Sequence, residues 1–209
     1  MRGTIARGED SLHIHWWDGS ISSNMKGYRV AAGLGFFDGV HLGHQAILSQ
    51  VLDVAASLDA VPAIVTFDRH PLTMIRPDAV PLLLTDREER NKYLLDLGMK
   101  AVVELTFDER LARLEPEQFA SDILARQLGV KAVVAGEDFS FGYRGRGRID
   151  LLRQEGYKWG IELVQVVDSL MVGDEKVSST RIRRLLGEGM IEKAAKLLGR
   201  PYRLLGSVV

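Results

Sequence analysis

The amino-acid sequence predicts an α/β protein built on an open parallel sheet with helices on both faces. Three observations carry this. Short apolar runs rich in Val, Ile and Ala recur along the chain; each is followed by a stretch whose apolar residues have helical spacing; and no repeat, low-complexity tract or interdomain linker interrupts the alternation. Strand–helix alternation implies βαβ units and a sheet buried on both faces. The 209 residues suit one large domain, or a domain with a small appendage, and 46% hydrophobic residues supply its core. That composition excludes general disorder. The balance of 27 basic and 28 acidic residues excludes a protein made to coat nucleic acid or anionic membrane. Cysteine is absent, so disulfides, thiolate metal sites and thiol nucleophiles are excluded, and a reducing, cytoplasmic address is expected. The stretch from Met1 to Asp18 mixes charged residues throughout, unlike a signal peptide, and apolar runs such as Val80 to Leu84 are too short to cross a bilayer.

In chain order, Tyr28 to Leu34 reads as the first strand. Ile47, Val51, Val54, Ala55 and Leu58 recur at helical spacing and predict a helix over His44 to Leu58. Ala63 to Phe67 is the next strand. Thr85 with Glu88 forms a capping-box pattern opening a helix that stops at Gly98. Ala101 to Leu105 is a third strand, and Pro116 starts a helix with the face Phe119, Ile123, Leu124 and Leu128. Lys131 to Ala135 and Ile161 to Val167 predict two more strands, separated by a glycine- and arginine-rich loop (Gly136 to Gly147) and a helix near Asp150 to Lys158. Ser179 to Leu186 and Ile191 to Leu198 close the pattern as helices.

Ligands of open parallel sheets bind beyond the carboxyl ends of the strands, and three loops there carry candidate chemistry. Gly35-Phe36-Phe37-Asp38-Gly39-Val40-His41-Leu42-Gly43-His44 brings two histidines and close-approach glycines to a helix N-terminus, a natural phosphate site. A metal site using His41, His44 and Asp38, or a simple helix cap by His44 beside a solvated His41, are the competing readings. Thr66-Phe67-Asp68-Arg69-His70-Pro71 could meet an anion through Arg69 and His70 and flank a flat ring with Phe67, or be a plain turn. Val177-Ser178-Ser179-Thr180-Arg181-Ile182-Arg183 offers hydroxyls at a helix start with an arginine one turn on: a polyphosphate site, or an N-cap followed by a solvated basic face. The loop Gly136 to Arg148 interleaves Arg, Gly and aromatics, which suits RNA stacking or closure over a nucleotide; the net-acidic chain favours closure. His13 and His15 have no evident partner.

Together these segments resemble a known family. His41-Leu42-Gly43-His44 resembles the HxGH signature of the nucleotidyltransferases, and Val177 to Arg183 resembles their ISSTxIR-type signature. With TFDRHP and GEDFSFG in the same order and spacing, the likeness is to bacterial FAD synthetase, the FMN adenylyltransferase module of bifunctional riboflavin kinase/FAD synthetases, from about Val30 to the end of the chain. The resemblance implies a Rossmann-like fold, transfer of AMP from ATP to FMN with Mg²⁺, and no nucleic-acid or membrane partner. It implies catalytic roles for His41, His44 and Arg183, and ATP contacts from Gly35, Phe36, Phe37, Asp38, Gly43, Ser179 and Thr180. Phe67, His70, Pro71 and Asp138 would line the FMN side, while Arg69 stands where the family often has proline; the metal ligands are left open. It also divides the chain into an adenylyltransferase domain (1–198) and a lead-in to a kinase barrel (199–209), whose kinase signature is absent, so riboflavin kinase activity is expected to be absent. Same-superfamily enzymes with other phosphorylated acceptors, and a non-catalytic nucleotide- or flavin-binding module, are the alternatives.

Overall fold

A computed structural model describes residues 12–15, 27–204 and 206, the first four by backbone alone. Its centre is a six-stranded sheet of β1 (Leu12–His15), β2 (Val30–Leu34), β3 (Val61–Phe67), β4 (Ala101–Leu105), β5 (Val130–Gly136) and β8 (Leu163–Val167), with β6 (Ser140–Phe141) and β7 (Gly147–Arg148) between the last two. The order across the sheet is β1-β4-β3-β2-β5-β8, and every pairing in it is parallel. Alternate side chains enter opposite faces: Val30, Ala32 and Leu34 join one core cluster and Ala31 the other. Both faces are buried, which explains why these strands read as continuous apolar runs.

Helices α1 (Leu42–Leu58) and α3 (Arg87–Asp96) cover one face through Leu48, Val51 and Leu94. On the other lie α5 (Pro116–Gln118), which runs on into a wide π-helical segment (Phe119–Gln127), and α6 (Ile149–Glu155), packed through Ile123, Leu124 and Leu152. Gly33 permits the close approach of α1: a Cβ there would lie 2.7 Å from Ile64 and 3.0 Å from Val51. Short helices α2 (Leu72–Ile75) and α4 (Glu109–Ala112) follow β3 and β4. A small ribbon of β9 (Met171–Val172) and β10 (Glu175–Lys176) leads into α7 (Ser179–Gly187) and α8 (Ile191–Leu198). These last helices form a separate cluster around Ile182, Leu185, Ala194 and Leu197, closed by Leu84 and Val177. After α8, Tyr202 packs against this cluster and Arg200 lies 3.8 Å over the Tyr93 ring. No described helix is long and apolar enough to cross a membrane.

The expected fold class is the one observed, with local corrections. The cap of α3 is Asp86, which accepts from the Glu89 N–H, rather than Thr85 with Glu88; Thr85 accepts from the Gly39 N–H at 3.1 Å instead. The glycine-rich segment expected as a loop contains the antiparallel β6–β7 ribbon, clamped on Pro116, where a Cβ on Gly142 would lie 2.7 Å from backbone atoms. The helix expected near Asp150 to Lys158 is α6 followed by a 3₁₀ turn (Gly156–Trp159), and β8 begins at Leu163 rather than Ile161. Strand β1 falls in a segment for which the sequence suggested no element.

Candidate active site

Strand β2 lies between β3 and β5, so the chain leaving β2 turns toward one half of the sheet and the chain leaving β5 toward the other. The crevice at such a switch point is where open α/β sheets bind ligands. Here it is a cleft of about 370 Å³, lined by the loop after β2, the loop after β5 and the approach to α7. Gly35, Phe36, Phe37, His41, Gly43 and His44 face it from the first loop, and Ser179 from α7.

The first loop is held in unusual backbone. Phe37 has φ +58°, Gly39 +79° and Val40 +39°. A left-handed β-branched residue persists only where its surroundings over-determine it, at a cost of order 1–3 kcal/mol. Val40 and Phe37 are fully buried, the Val40 N–H donates to the Phe37 carbonyl at 3.1 Å, and Gln45 Nε2 donates to the Val40 carbonyl at 3.0 Å. The strain delivers His41 as the N-cap of α1, its Nδ1 accepting from the His44 N–H at 3.3 Å. That hydrogen bond assigns the His41 proton to Nε2. The competing reading of a His44 cap beside a solvated His41 does not hold: the cap is His41, which is 5% exposed. The two imidazoles stack with centroids 3.6 Å apart, and a Cβ on Gly43 would lie 3.3 Å from the His41 ring, so glycine is what admits it.

Burial pushes the His41 pKa down to about 4, with Arg200, Arg183 and Lys176 adding to the effect against a backbone hydrogen bond that raises it. Burial, then the neighbouring His41, holds His44 well below the usual histidine range, and its Nδ1 is buried without a hydrogen-bond partner. Both rings are neutral at pH 7, and an anion brought beside them would raise both values. Neutral stacked imidazoles under a helix N-terminus are donors prepared for a polyanion.

Helix α7 is capped by Ser178, whose hydroxyl accepts from the Arg181 N–H at 3.2 Å, while the Ser179 hydroxyl donates to the Asp38 carbonyl at 2.9 Å. Asp38 is buried, and its carboxylate accepts from the Leu84 N–H (2.9 Å), the Thr85 N–H (3.2 Å) and the Arg183 guanidinium. Arg183 also donates from Nε to the Leu82 carbonyl at 2.6 Å. Asp38 and Arg183 therefore tie the histidine loop to α7 and do not line the cleft; Thr180 is exposed outside it. Sequence reasoning missed Lys176, which lines the cleft, pairs with the Asp138 carboxylate and lies 3.8 Å from Glu137. Its signal was a basic residue immediately before Val177-Ser178-Ser179.

A second cavity of about 170 Å³ is lined by Phe67, Pro71, Phe107, Phe119 and Phe141 among others. His70 precedes Pro71 of this cavity and touches Phe36 of the cleft: its Nδ1 accepts from the Leu72 N–H at 3.1 Å and its ring meets Phe36 edge-on, centroids 4.8 Å apart. Burial, then Arg183, lowers its pKa, opposed by Asp38. Asp138, expected beside Phe67 and Pro71, instead lines the first cleft. Arg69 points outward and pairs with Asp68 at 3.1 Å. Under both loops lies a network absent from the sequence reading: Arg90, buried, pairs with Glu104 at 2.6 Å, and Glu104 also holds Arg87 at 2.8 Å.

A parallel sheet with a buried HxGH turn at its switch point, facing a hydroxyl-rich helix start, defines an α/β domain of the nucleotidyltransferase type. The FAD synthetase family model matches residues 23–181. The chain belongs to the FAD synthetase family. It is 34% identical over 179 residues to the bifunctional riboflavin kinase/FMN adenylyltransferase of Buchnera aphidicola from Schizaphis graminum, covering 86% of this chain and 57% of that protein. The bifunctional protein of Listeria monocytogenes is 38% identical, with 84% of this chain and 55% of that one covered. The FAD synthetase of the same organism is 32% identical over 192 residues, 90% of this chain and 76% of that protein. The chain thus spans little more than half the length of these bifunctional relatives. A crystal structure described as a macrolide-efflux protein from Streptococcus pneumoniae superimposes with TM-score 0.77 at 27% identity, covering 92% of this chain and 63% of that one.

Proposed function

We propose that this domain transfers AMP from ATP to the phosphate of FMN, giving FAD and pyrophosphate. The observation that carries the reading is the stacked, neutral His41–His44 pair at the start of α1, facing the Ser178–Ser179 start of α7 across one cleft. ATP takes this cleft, with Gly35, Phe36, Phe37, Gly43 and Ser179 on its side and Thr180 outside it. The smaller aromatic cavity takes the flavin side, with Phe67, Pro71 and His70. The nucleophilic phosphate passes the Phe36–His70 contact. Asp138, with Lys176, acts from the nucleotide cleft.

FMN's phosphate has a second pKa near about 6, so the nucleophile is already anionic at neutral pH and needs no general base. What opposes attack on the α-phosphorus is repulsion between anions and the charge that spreads in the transition state. His41 donates from Nε2 to that charge, His44 and the N–H groups of α1 reinforce it, and Arg183 adds positive potential from its Asp38 anchor. Among the described residues no three or more His, Asp or Glu side chains gather as a metal cage. We therefore infer that Mg²⁺ arrives on the triphosphate and supplies charge neutralisation there, the usual arrangement for this ion.

We also infer that residues 1–198 form the adenylyltransferase unit and 199–209 the lead-in to the kinase portion of longer relatives. The test is an acceptor panel of FMN, nicotinate mononucleotide, phosphopantetheine and riboflavin, each with ATP or CTP, read by pyrophosphate release. FMN with ATP is expected to be the productive pair, and release with another acceptor but not FMN would overturn the assignment.

A further inference from the structure

Two loops must be held at a fixed separation if a phosphate from one cavity is to reach phosphorus in the other. The hydrogen-bond ladder between β2 and β3 runs out at the Gly35 N–H to Val65 carbonyl bond, 3.3 Å. Beyond it the carbonyls of Phe36 and Phe67 lie at the two loop roots, and the Thr66 hydroxyl on β3 donates to the Phe36 carbonyl at 3.2 Å. Phe36 lines the nucleotide cleft and Phe67 the aromatic cavity. Both carbonyls accept from one side chain: Arg90 Nη2 donates to the Phe67 carbonyl at 3.0 Å and Nη1 reaches the Phe36 carbonyl at 3.4 Å. The same guanidinium lies 5.1 Å from the centroid of the Phe36 ring. Glu104, one strand further along on β4, fixes the fork from behind at 2.6 Å.

The side chains of Arg90 and Glu104 are 4% and 1% exposed, so two charges have been taken almost wholly out of water. A buried ion pair brings little net stability over a well-packed apolar pair, so what distinguishes it here is geometry. A planar fork with several fixed donors can span two carbonyls and a carboxylate at once. An apolar side chain of similar volume could fill the space, but it would leave the Phe67 carbonyl without this donor and only the Thr66 hydroxyl on the Phe36 carbonyl.

We infer that Arg90, braced by Glu104, is a positioning residue that sets the distance between the nucleotide loop and the acceptor loop. This rests on the proposed transfer between two cavities. Arg90 touches neither substrate. It acts through the backbone of Phe36 and Phe67, so its loss should spare binding of each substrate alone and slow their reaction.

The experiment compares wild type with Arg90→Lys, Arg90→Met and the double variant Arg90→Met/Glu104→Met, in steady-state FAD formation, thermal unfolding, and separate binding of FMN and of ATP. Displacing reacting groups by about 1 Å costs about 10²-fold in rate, and Arg90→Met should lower kcat by about that factor while each substrate's Kd moves less than about threefold. The double variant removes both buried charges together, so it should recover the unfolding temperature lost by Arg90→Met without recovering kcat. Arg90→Lys keeps the charge opposite Glu104 and a donor for one carbonyl, and should fall between wild type and Arg90→Met. Wild-type kcat in the stable double variant would overturn the inference, as would a kcat that tracks unfolding temperature across the set. Absence of FAD from the wild-type protein would refute the function itself, a result separable from any behaviour of the variants.

Discussion

Asp38, expected from the sequence as an ATP contact or a metal ligand, stands in the structure as an internal tie. Replacing it by alanine leaves the Leu84 and Thr85 N–H groups without their acceptor and Arg183 without its carboxylate. Hydrogen bonds to a charged group are worth about 1.5–3 kcal/mol each, so the two backbone donors alone set a loss of about 3 kcal/mol at the lower end. The Arg183 side chain is 21% exposed and regains water when released, so its share adds about 1 kcal/mol or less. Asp38→Ala is therefore expected to lose about 3–4 kcal/mol in urea unfolding. At about 2–4 °C per kcal/mol for a domain of this size, that corresponds to roughly 10 °C in Tm. Asp38→Asn keeps an oxygen for the two N–H groups and should lose about 1–2 kcal/mol. In both variants the ATP Kd, measured below the unfolding transition, should change modestly, because the carboxylate lies outside the cleft. An Asp38→Asn protein with an unchanged urea midpoint and no ATP binding would refute this reasoning and make Asp38 a ligand contact.

Other outcomes follow from the same geometry. His44→Ala removes the donor proposed at the reacting phosphate and should lower kcat by about 10²–10³ with the fold retained; near-wild-type turnover would exclude the role. His41, with its pKa at about 4 against 6.5 unfolded, binds fewer protons when folded, so stability is complete above about pH 6.5 and falls as pH drops toward 4. The span corresponds to about 3 kcal/mol, seen as a decline in urea midpoint over that window that His41→Asn should flatten. ATP binding near pH 6 should take up protons as the imidazoles meet phosphate, measurable by calorimetry in buffers of different ionisation enthalpy; zero uptake would mean that neither ring faces the anion. Arg69→Pro should leave the FMN KM within about threefold, because the exposed Arg69 side chain pairs with Asp68 at the surface; a large rise would make it a substrate contact.

The parts legible in sequence were those written in local pattern. Strands such as Ala63 to Phe67 and Ala101 to Leu105 are apolar on both faces, and the HLGH and SSTRIR segments sit at helix starts because glycine and hydroxyl residues act on their own backbone. What was illegible depends on partners far along the chain. Asp38 reads as a loop acid until Leu84 and Arg183 are folded against it. Thr85 and Asp86 are both good cap residues, and only the need of the Gly39 N–H for an acceptor decides that Thr85 is used elsewhere. The two-residue strands β6 and β7 are too short to carry a period. Glu104 was the most readable of the missed signals: a carboxylate inside Ala-Val-Val-Glu-Leu must find a cation, and α3 supplies two, the buried Arg90 and the partly exposed Arg87.

The central claim is transfer of the adenylyl group from ATP to a flavin phosphate. It is tested most directly by incubating the protein with FMN, Mg²⁺ and ATP labelled at either the α- or the γ-phosphorus, then separating the products by chromatography. The account predicts that the α-label appears in FAD and the γ-label in pyrophosphate, in equal amounts. No label in the flavin, or γ-label attached to it, would contradict the account.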